Sequence, residues 1–249
     1  MLRLFRDIRR RLIMPDTVRR YLLYAIGEIF LVVIGILIAL QVNNWNEAKI
    51  DRKFELNMLH DINISLNENI SLVNSQFQNL DNISNSVNKL AQYQNDTGFN
   101  KDSLVHHLNI ARFGGTAITF NNSAYESLKS SGLNRVSDSE LRNSIALLFE
   151  VELSIAEQWI NEVVRKKLYD KDVYARSYFE LEAIPDSING ISPKLLPPDF
   201  EKISSDPGFD TFLILAGGYI SSTRLRLSLV KSKMEDVQKQ IERELEKKN

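Results

Sequence analysis

His60, His106 and His107 are the only three imidazoles in the chain. His106 and His107 are neighbours, so on a helix their side chains leave the axis about 100° apart and cannot meet on one metal ion as an i,i+4 pair does. An exposed or helix-packing role accounts for them. Glu150, Glu152 and Glu157 could line a bundle interior as carboxylate ligands, but the Glu-x-x-His pairs of a di-iron site are missing, and a solvated face is the better reading. The chain has no cysteine, which removes disulfides, thiolate metal sites and a thiol nucleophile. Gly114-Gly115 and Gly217-Gly218 follow no predicted strand and read as a turn and a close helix crossing, not as phosphate cradles. No nucleophile, base and acid can be assembled from spacing. The expectation is a protein that is not an enzyme, with no catalytic residue, no metal and no cofactor.

One ionisable group sits where a charge is costly. Leu22–Val42 is apolar almost throughout and contains Glu28. As a helix it would be roughly 31 Å long, the thickness of a bilayer's hydrocarbon core, and it lacks a polar face wide enough for a soluble helix. It reads as an uncleaved signal anchor, a transmembrane helix over 21–43. Tyr21, Ala25, Glu28, Val32, Gly35, Ala39 and Val42 recur at alternating steps of four and three, which is a heptad seam. Ala25, Glu28, Val32, Gly35 and Ala39 on this seam combine small-xxx-small spacing with the only carboxyl, the pattern of a helix that self-associates or docks on another membrane protein. Tyr21, Tyr24 and Trp45 suit the two interfaces.

The charge around this stretch is lopsided. Residues 1–20 hold seven arginines against Asp7 and Asp16, whereas the flank beyond Val42 is balanced. Positive residues stay on the cytoplasmic side, so the N-terminus is expected in the cytoplasm and residues 44–249 in the periplasm of an inner-membrane protein. Leu2, Phe5, Ile8 and Leu12 give the cytoplasmic segment 1–20 an amphipathic helical pattern suited to a lipid headgroup layer. With Lys+Arg 31 against Asp+Glu 32, no nucleic-acid partner is expected.

The remainder reads as mainly α, an extracytoplasmic antiparallel helical bundle with long helices. Leu59, Ile62, Leu66, Ile70, Val73, Phe77, Leu80, Ile83, Val87 and Leu90 keep a helical period to about residue 93. Asn-Ile-Ser triplets at Asn63, Asn69 and Asn82 match a glycosylation sequon but fall on this helix. Asp96-Thr97-Gly98 marks a turn, and a helix is predicted from about Lys101 to Arg112. Ser123-x-x-Glu126 and Ser137-x-x-Glu140 read as capping boxes, with Gly132 as a stop between them. The second opens a helix to about Glu182 with Leu141, Ile145, Leu148, Phe149, Leu153, Ala156, Ile160 and Val163 facing the core. A Pro-rich loop is predicted over 183–208, and no strands anywhere. The last helix begins near Asp210 and buries Leu213, Ala216, Ile220, Thr223, Leu227, Val230, Met234, Val237 and Ile241. The first and last long helices are expected to pack side by side. Asn121, Asn122 and Tyr125 form a candidate recognition turn, with a helix cap as the plainer reading.

Tyr24–Glu47 (YAIGEIFLVVIGILIALQVNNWNE) and Asn121–Gly132 (NNSAYESLKSSG) resemble an uncharacterised family of single-pass membrane proteins from flavobacteria and relatives, whose domain of unknown function covers nearly the whole chain. The resemblance implies an inner-membrane anchor with a periplasmic helical domain. It supplies no reaction, ligand or catalytic residue. The function expected is a non-enzymatic membrane-anchored scaffold or interaction protein, with the lipid bilayer and either a second copy or another membrane protein as partners. The alternatives are a periplasmic ligand-sensing domain or an accessory subunit acting through a membrane partner.

Overall fold

The computed structural model describes residues 15–93, 100–178, 181–188, 190–196, 203 and 205–247. Residues 1–14 of the expected amphipathic segment 1–20, with Leu2, Phe5, Ile8 and Leu12, and the turn at 96–98 lie outside the described residues. The described chain is mainly helical. It divides into two compact units, Met1–Glu55 and Leu56–Asn249.

The first helix, α1, is Pro15–Tyr93. It is followed by α2 (Lys101–Phe113), α3 (Ser123–Ser131) and a 3-10 turn at Leu133–Arg135. Five segments then run end to end: α4 (Ser139–Leu147), a π turn (Leu148–Glu152), α5 (Leu153–Gln158), a second π turn (Trp159–Val164) and α6 (Arg165–Arg176). Strands β1 (Leu181–Asp186) and β2 (Gly190–Leu195) precede α7 (Pro207–Glu246).

Within the second unit the apolar periods pack as the sequence predicts. Leu59, Ile62, Leu66, Val73, Leu80, Ile83, Val87 and Leu90 of α1 are buried, with Ile70 and Phe77 half-buried at the edge. All nine stripe residues named for the last helix are buried. Asp81 accepts from Arg224 at 2.6 Å, and Gln238 donates to Asn67 at 2.9 Å, so α1 and α7 lie side by side. Contacts Lys167–Ser222, Arg226 over Trp159 and Lys233–Glu152 join α7 to the helix between residues 139 and 176.

The differences from expectation have local causes. Val163 is 49% exposed and Val164 is buried in its place. Each π turn accommodates an extra residue per turn, so the buried face has slipped by the time the chain reaches α6. That helix ends at Arg176, and Glu182 falls in β1. The cap of α4 is Asp138, not Ser137: Asp138 Oδ1 accepts from the N–H groups of Glu140 at 2.9 Å and Leu141 at 3.1 Å. The Leu141 N–H is the chief cause of this carboxyl titrating below its ordinary value, and a carboxylate at a helix N-terminus also meets a favourable dipole.

The Pro-rich loop predicted over 183–208 contains an antiparallel strand pair, Leu181↔Leu195 to Asp186↔Gly190. Pro185 faces Ile191 and Pro193 faces Ala183. Both prolines fall in the same alternating set of pairs, so the ladder's N–H donors can come from the residues between them, which is how a two-stranded ribbon tolerates proline. Asp186 closes the turn, accepting from Ile188 N–H at 2.7 Å and Ser192 Oγ at 2.6 Å, and Gly190 takes φ +78.

Candidate functional site

Residues 114–122 cross the second unit outside any helix or strand. Thr116, Ile118 and Phe120 are buried while Ala117 and Thr119 are exposed, the period of two of a strand. A buried backbone needs partners for its N–H and C=O groups. Here they come from side chains of three helices. Thr116 N–H donates to the Tyr219 hydroxyl at 2.5 Å. Ile118 N–H donates to Asn161 Oδ1 at 3.0 Å, and Asn161 Nδ2 donates back to Ile118 O at 2.6 Å. Phe120 N–H donates to Glu157 Oε1. On the α1 side, Asn79 donates to Gly115 O at 2.9 Å, and Asn69 makes a reciprocal pair with Asn121 at 2.8 and 2.9 Å. Asparagine suits this work because one amide donates and accepts at once, as a peptide does.

The start of the strap is held by Lys171, which is fully buried. Its Nζ donates to Ala111 O at 2.5 Å and Gly114 O at 3.0 Å and lies 5.2 Å from the Tyr219 ring centre. Ala111 is in the last turn of α2, so the ammonium caps carbonyls that the helix leaves unpaired. Burial pushes its pKa down to about 8, and the neighbouring Asp172 pulls weakly the other way. Asp172 is itself clamped by Arg112 at 2.7 Å and Arg176 at 2.5 Å. Gly114 is required at this bend: a Cβ there would collide with Ile110 O and stand 2.7 Å from Ile83 Cγ1. Gly114→Ala is expected to cost about 1–3 kcal/mol in a chemical denaturation curve, as overpacking of a filled site does.

Asn121, Asn122 and Tyr125 end the strap. Asn121 is committed to Asn69, to Glu68 at 2.7 Å and to Ser123 N–H at 3.0 Å. The Ser123 cap expected from the sequence is therefore inverted: Ser123 is the first helical residue and donates to Asn121, while Asn122 occupies the cap exposed and without a side-chain bond. Tyr125 is 1% exposed, stacks on Phe149 with centres 5.0 Å apart, and donates to Glu150 at 2.8 Å. Burial raises its pKa. Lys129 also reaches Glu150 at 2.7 Å and, with Tyr125, holds that carboxyl below the ordinary range. A cleft of about 390 Å3 opens over these residues, but its polar groups largely satisfy one another.

The three glutamates weighed as metal ligands take separate tasks: Glu150 binds Tyr125 and Lys129, Glu152 faces Lys233 at 3.7 Å, and Glu157 binds the strap. No group of three His, Cys, Asp or Glu among the described residues could hold a metal. His60 is exposed, and His107 approaches Ser86 Oγ at 3.2 Å. Of the sequon asparagines, Asn69 is 1% exposed and bonded on both amide atoms, so it is no glycan acceptor.

In the first unit, Glu28, Val32, Gly35 and Ala39 are exposed, as are Tyr21, Tyr24 and Trp45, and Ala25 is partly so. A Cβ added at Gly35 would meet nothing within 4 Å. One helix among the described residues is long and apolar enough to cross a membrane, and its most apolar stretch is 0% buried.

The residues missed by sequence reading were Asn69, Asn161, Lys171 and Tyr219. Two left a trace. Asn69 stands in register with Leu66 and Val73, and Lys171 stands four before Ala175, so each is a polar residue on a buried stripe.

No curated protein and no solved structure matches the chain. Residues 28–182, from within the apolar stretch of α1 to β1, match a family of unknown function, DUF6090. The matched region contains the strap and most of its anchoring side chains, and by covering more than half of the sequence it establishes that the chain belongs to the DUF6090 family.

Proposed function

We propose that the protein is a non-enzymatic interaction protein, anchored in the inner membrane by residues 21–43, with its helical domain, read as an antiparallel bundle, in the periplasm. The observation that carries this reading is the wholly uncovered apolar stretch of α1, which contains one carboxyl and follows an arginine-rich segment. In water such a surface would drive aggregation; in lipid it is the stable state. The polar side chains that hold the strap support the same reading. Tyr219, Asn161, Glu157 and Lys171 are each occupied by backbone groups of the strap or the turn before it, the work of structural supports. Glu28 with Gly35 and Ala39 supplies a lipid-facing seam through which two copies, or the chain and another membrane protein, associate.

Two measurements test this. The protein should remain in the membrane pellet after alkaline carbonate washing, and a periplasm-dependent reporter fused at Asn249 should be active. Release into the wash, or a reporter active only in the cytosol, overturns the anchor. Crosslinking in native membranes should trap homo-oligomers, and Gly35→Leu should reduce them several-fold by holding the backbones apart. Oligomers insensitive to Gly35→Leu would remove the seam from the account.

A further inference from the structure

Between α1 and α2 lies a groove of about 790 Å3, within the size range of small-molecule sites. Its apolar part is Ile83, Ile110 and Phe113, and the Phe113 ring is 62% exposed. Its polar part is the amides of Asn82, Asn85 and Asn109 with the His106 ring. This groove holds unspent polar groups. Asn82, Asn85 and His106 make no side-chain hydrogen bond among the described residues.

The lining also selects by charge. No Asp, Glu, Lys or Arg contributes to it. His107 is kept below the ordinary imidazole value by burial, with the charges of His106 and Lys89 adding to the effect. A cation therefore finds no carboxylate, and the Arg112 guanidinium, 4.7 Å from the Phe113 ring centre, is already paired with Asp172. A wholly apolar ligand such as an acyl chain would strand the amides. What remains is a neutral molecule with many hydroxyls and one apolar face. Amides offer a donor and an acceptor to each such hydroxyl, and an exposed aromatic ring offers a flat apolar platform.

We propose that this groove is a carbohydrate-binding site, in which a neutral oligosaccharide lays the C–H face of one ring on Phe113 and pairs its hydroxyls with Asn82 and Asn85. The site would give an anchored protein a hold on extracytoplasmic glycan, but its chemistry does not depend on how the chain is anchored.

The test uses the full-length protein in lipid nanodiscs free of glycolipid and sugar detergent. Maltohexaose, cellohexaose, mannohexaose and hexa-N-acetylchitohexaose are titrated by calorimetry, with saturation-transfer NMR reporting which sugar protons touch protein. At least one probe should saturate at micromolar to low-millimolar concentration. Phe113→Ala should weaken it at least about tenfold, as loss of a central aromatic contact does. Asn82→Ala and Asn85→Ala should each weaken it several-fold. All three positions are exposed, so the melting temperature should hold, and that separates lost binding from lost folding. No saturable binding by any of the four, or binding untouched by Phe113→Ala and both asparagine variants, overturns the proposal. So does a groove found occupied by a second copy or a peptide.

Discussion

Replacing Asn161 by leucine is expected to lower the unfolding free energy by about 2–4 kcal/mol, because it leaves both the N–H and the C=O of buried Ile118 without a partner. For a chain of this size that corresponds to a fall in melting temperature of roughly 5–15 °C. The loss should be local first. The strap lies outside the helices and carries exposed Ala117 and Thr119 between its buried residues, so limited proteolysis should cut between Gly115 and Asn121 in the variant before the helices are attacked. Thr119→Ala, on the exposed face, should leave both readouts within about 0.5 kcal/mol of wild type. An Asn161→Leu protein that melts with wild type and resists cleavage would show that the strap is held by its apolar residues alone.

The second large effect is a dependence on pH. Lys171 has a pKa lowered by burial to about 8, whereas in the unfolded chain it titrates near 10.4. Between these values the unfolded state binds more protons, so stability from this group rises with pH. Below about pH 8 the folded protein carries the whole cost of a buried ammonium, up to about 3 kcal/mol for a displacement of this size. Above pH 10.5 that cost is gone, and the neutral amine still donates to Ala111 O and Gly114 O. Lys171→Met has no such titration but strands the two carbonyls. The two opposing terms are similar near pH 7, so wild type and variant should then differ by no more than about 2 kcal/mol. The gap should widen in favour of wild type by up to roughly 3 kcal/mol as pH rises from 7 to 10.5. Denaturation of both proteins across that range reads the difference, and other titrating groups cancel between them. Parallel pH profiles would mean that Lys171 titrates as if exposed.

Both predictions concern residues that serve one short segment, and together they say what the second unit is built around. The helices alone would bury their stripes in more than one way, since apolar contact is not directional. The strap adds directional bonds from α1, α5 and its flanking π turn, α6 and α7, and so fixes which helix lies against which. The π turns contribute to this. By slipping the helical phase they let Glu157 and Asn161 face Phe120 and Ile118 while Ile160 and Val164 stay in the core.

Periodicity made much of this protein legible from its residues alone. The apolar run with Glu28, the stripe from Leu59 to Leu90, the phase of the last helix and the stop at Gly132 are local properties. Helix geometry turns spacing directly into a face, and positive φ at Gly132 follows from the missing Cβ. What the sequence could not determine was where the isolated polar side chains go. Asn79 bonds across 36 residues, Asn161 across 43 and Tyr219 across 103, and nothing in the spacing of one segment specifies a partner at that distance. The Asp138 cap, whose bonds reach only two and three residues along the helix, the slipped phase after Ile160 and the paired strands among the prolines have local causes that hydrophobic spacing does not encode. A hydrophobic pattern encodes which side of an element is buried; the identity of what it is buried against is decided by directional hydrogen bonds that form only once the helices have met.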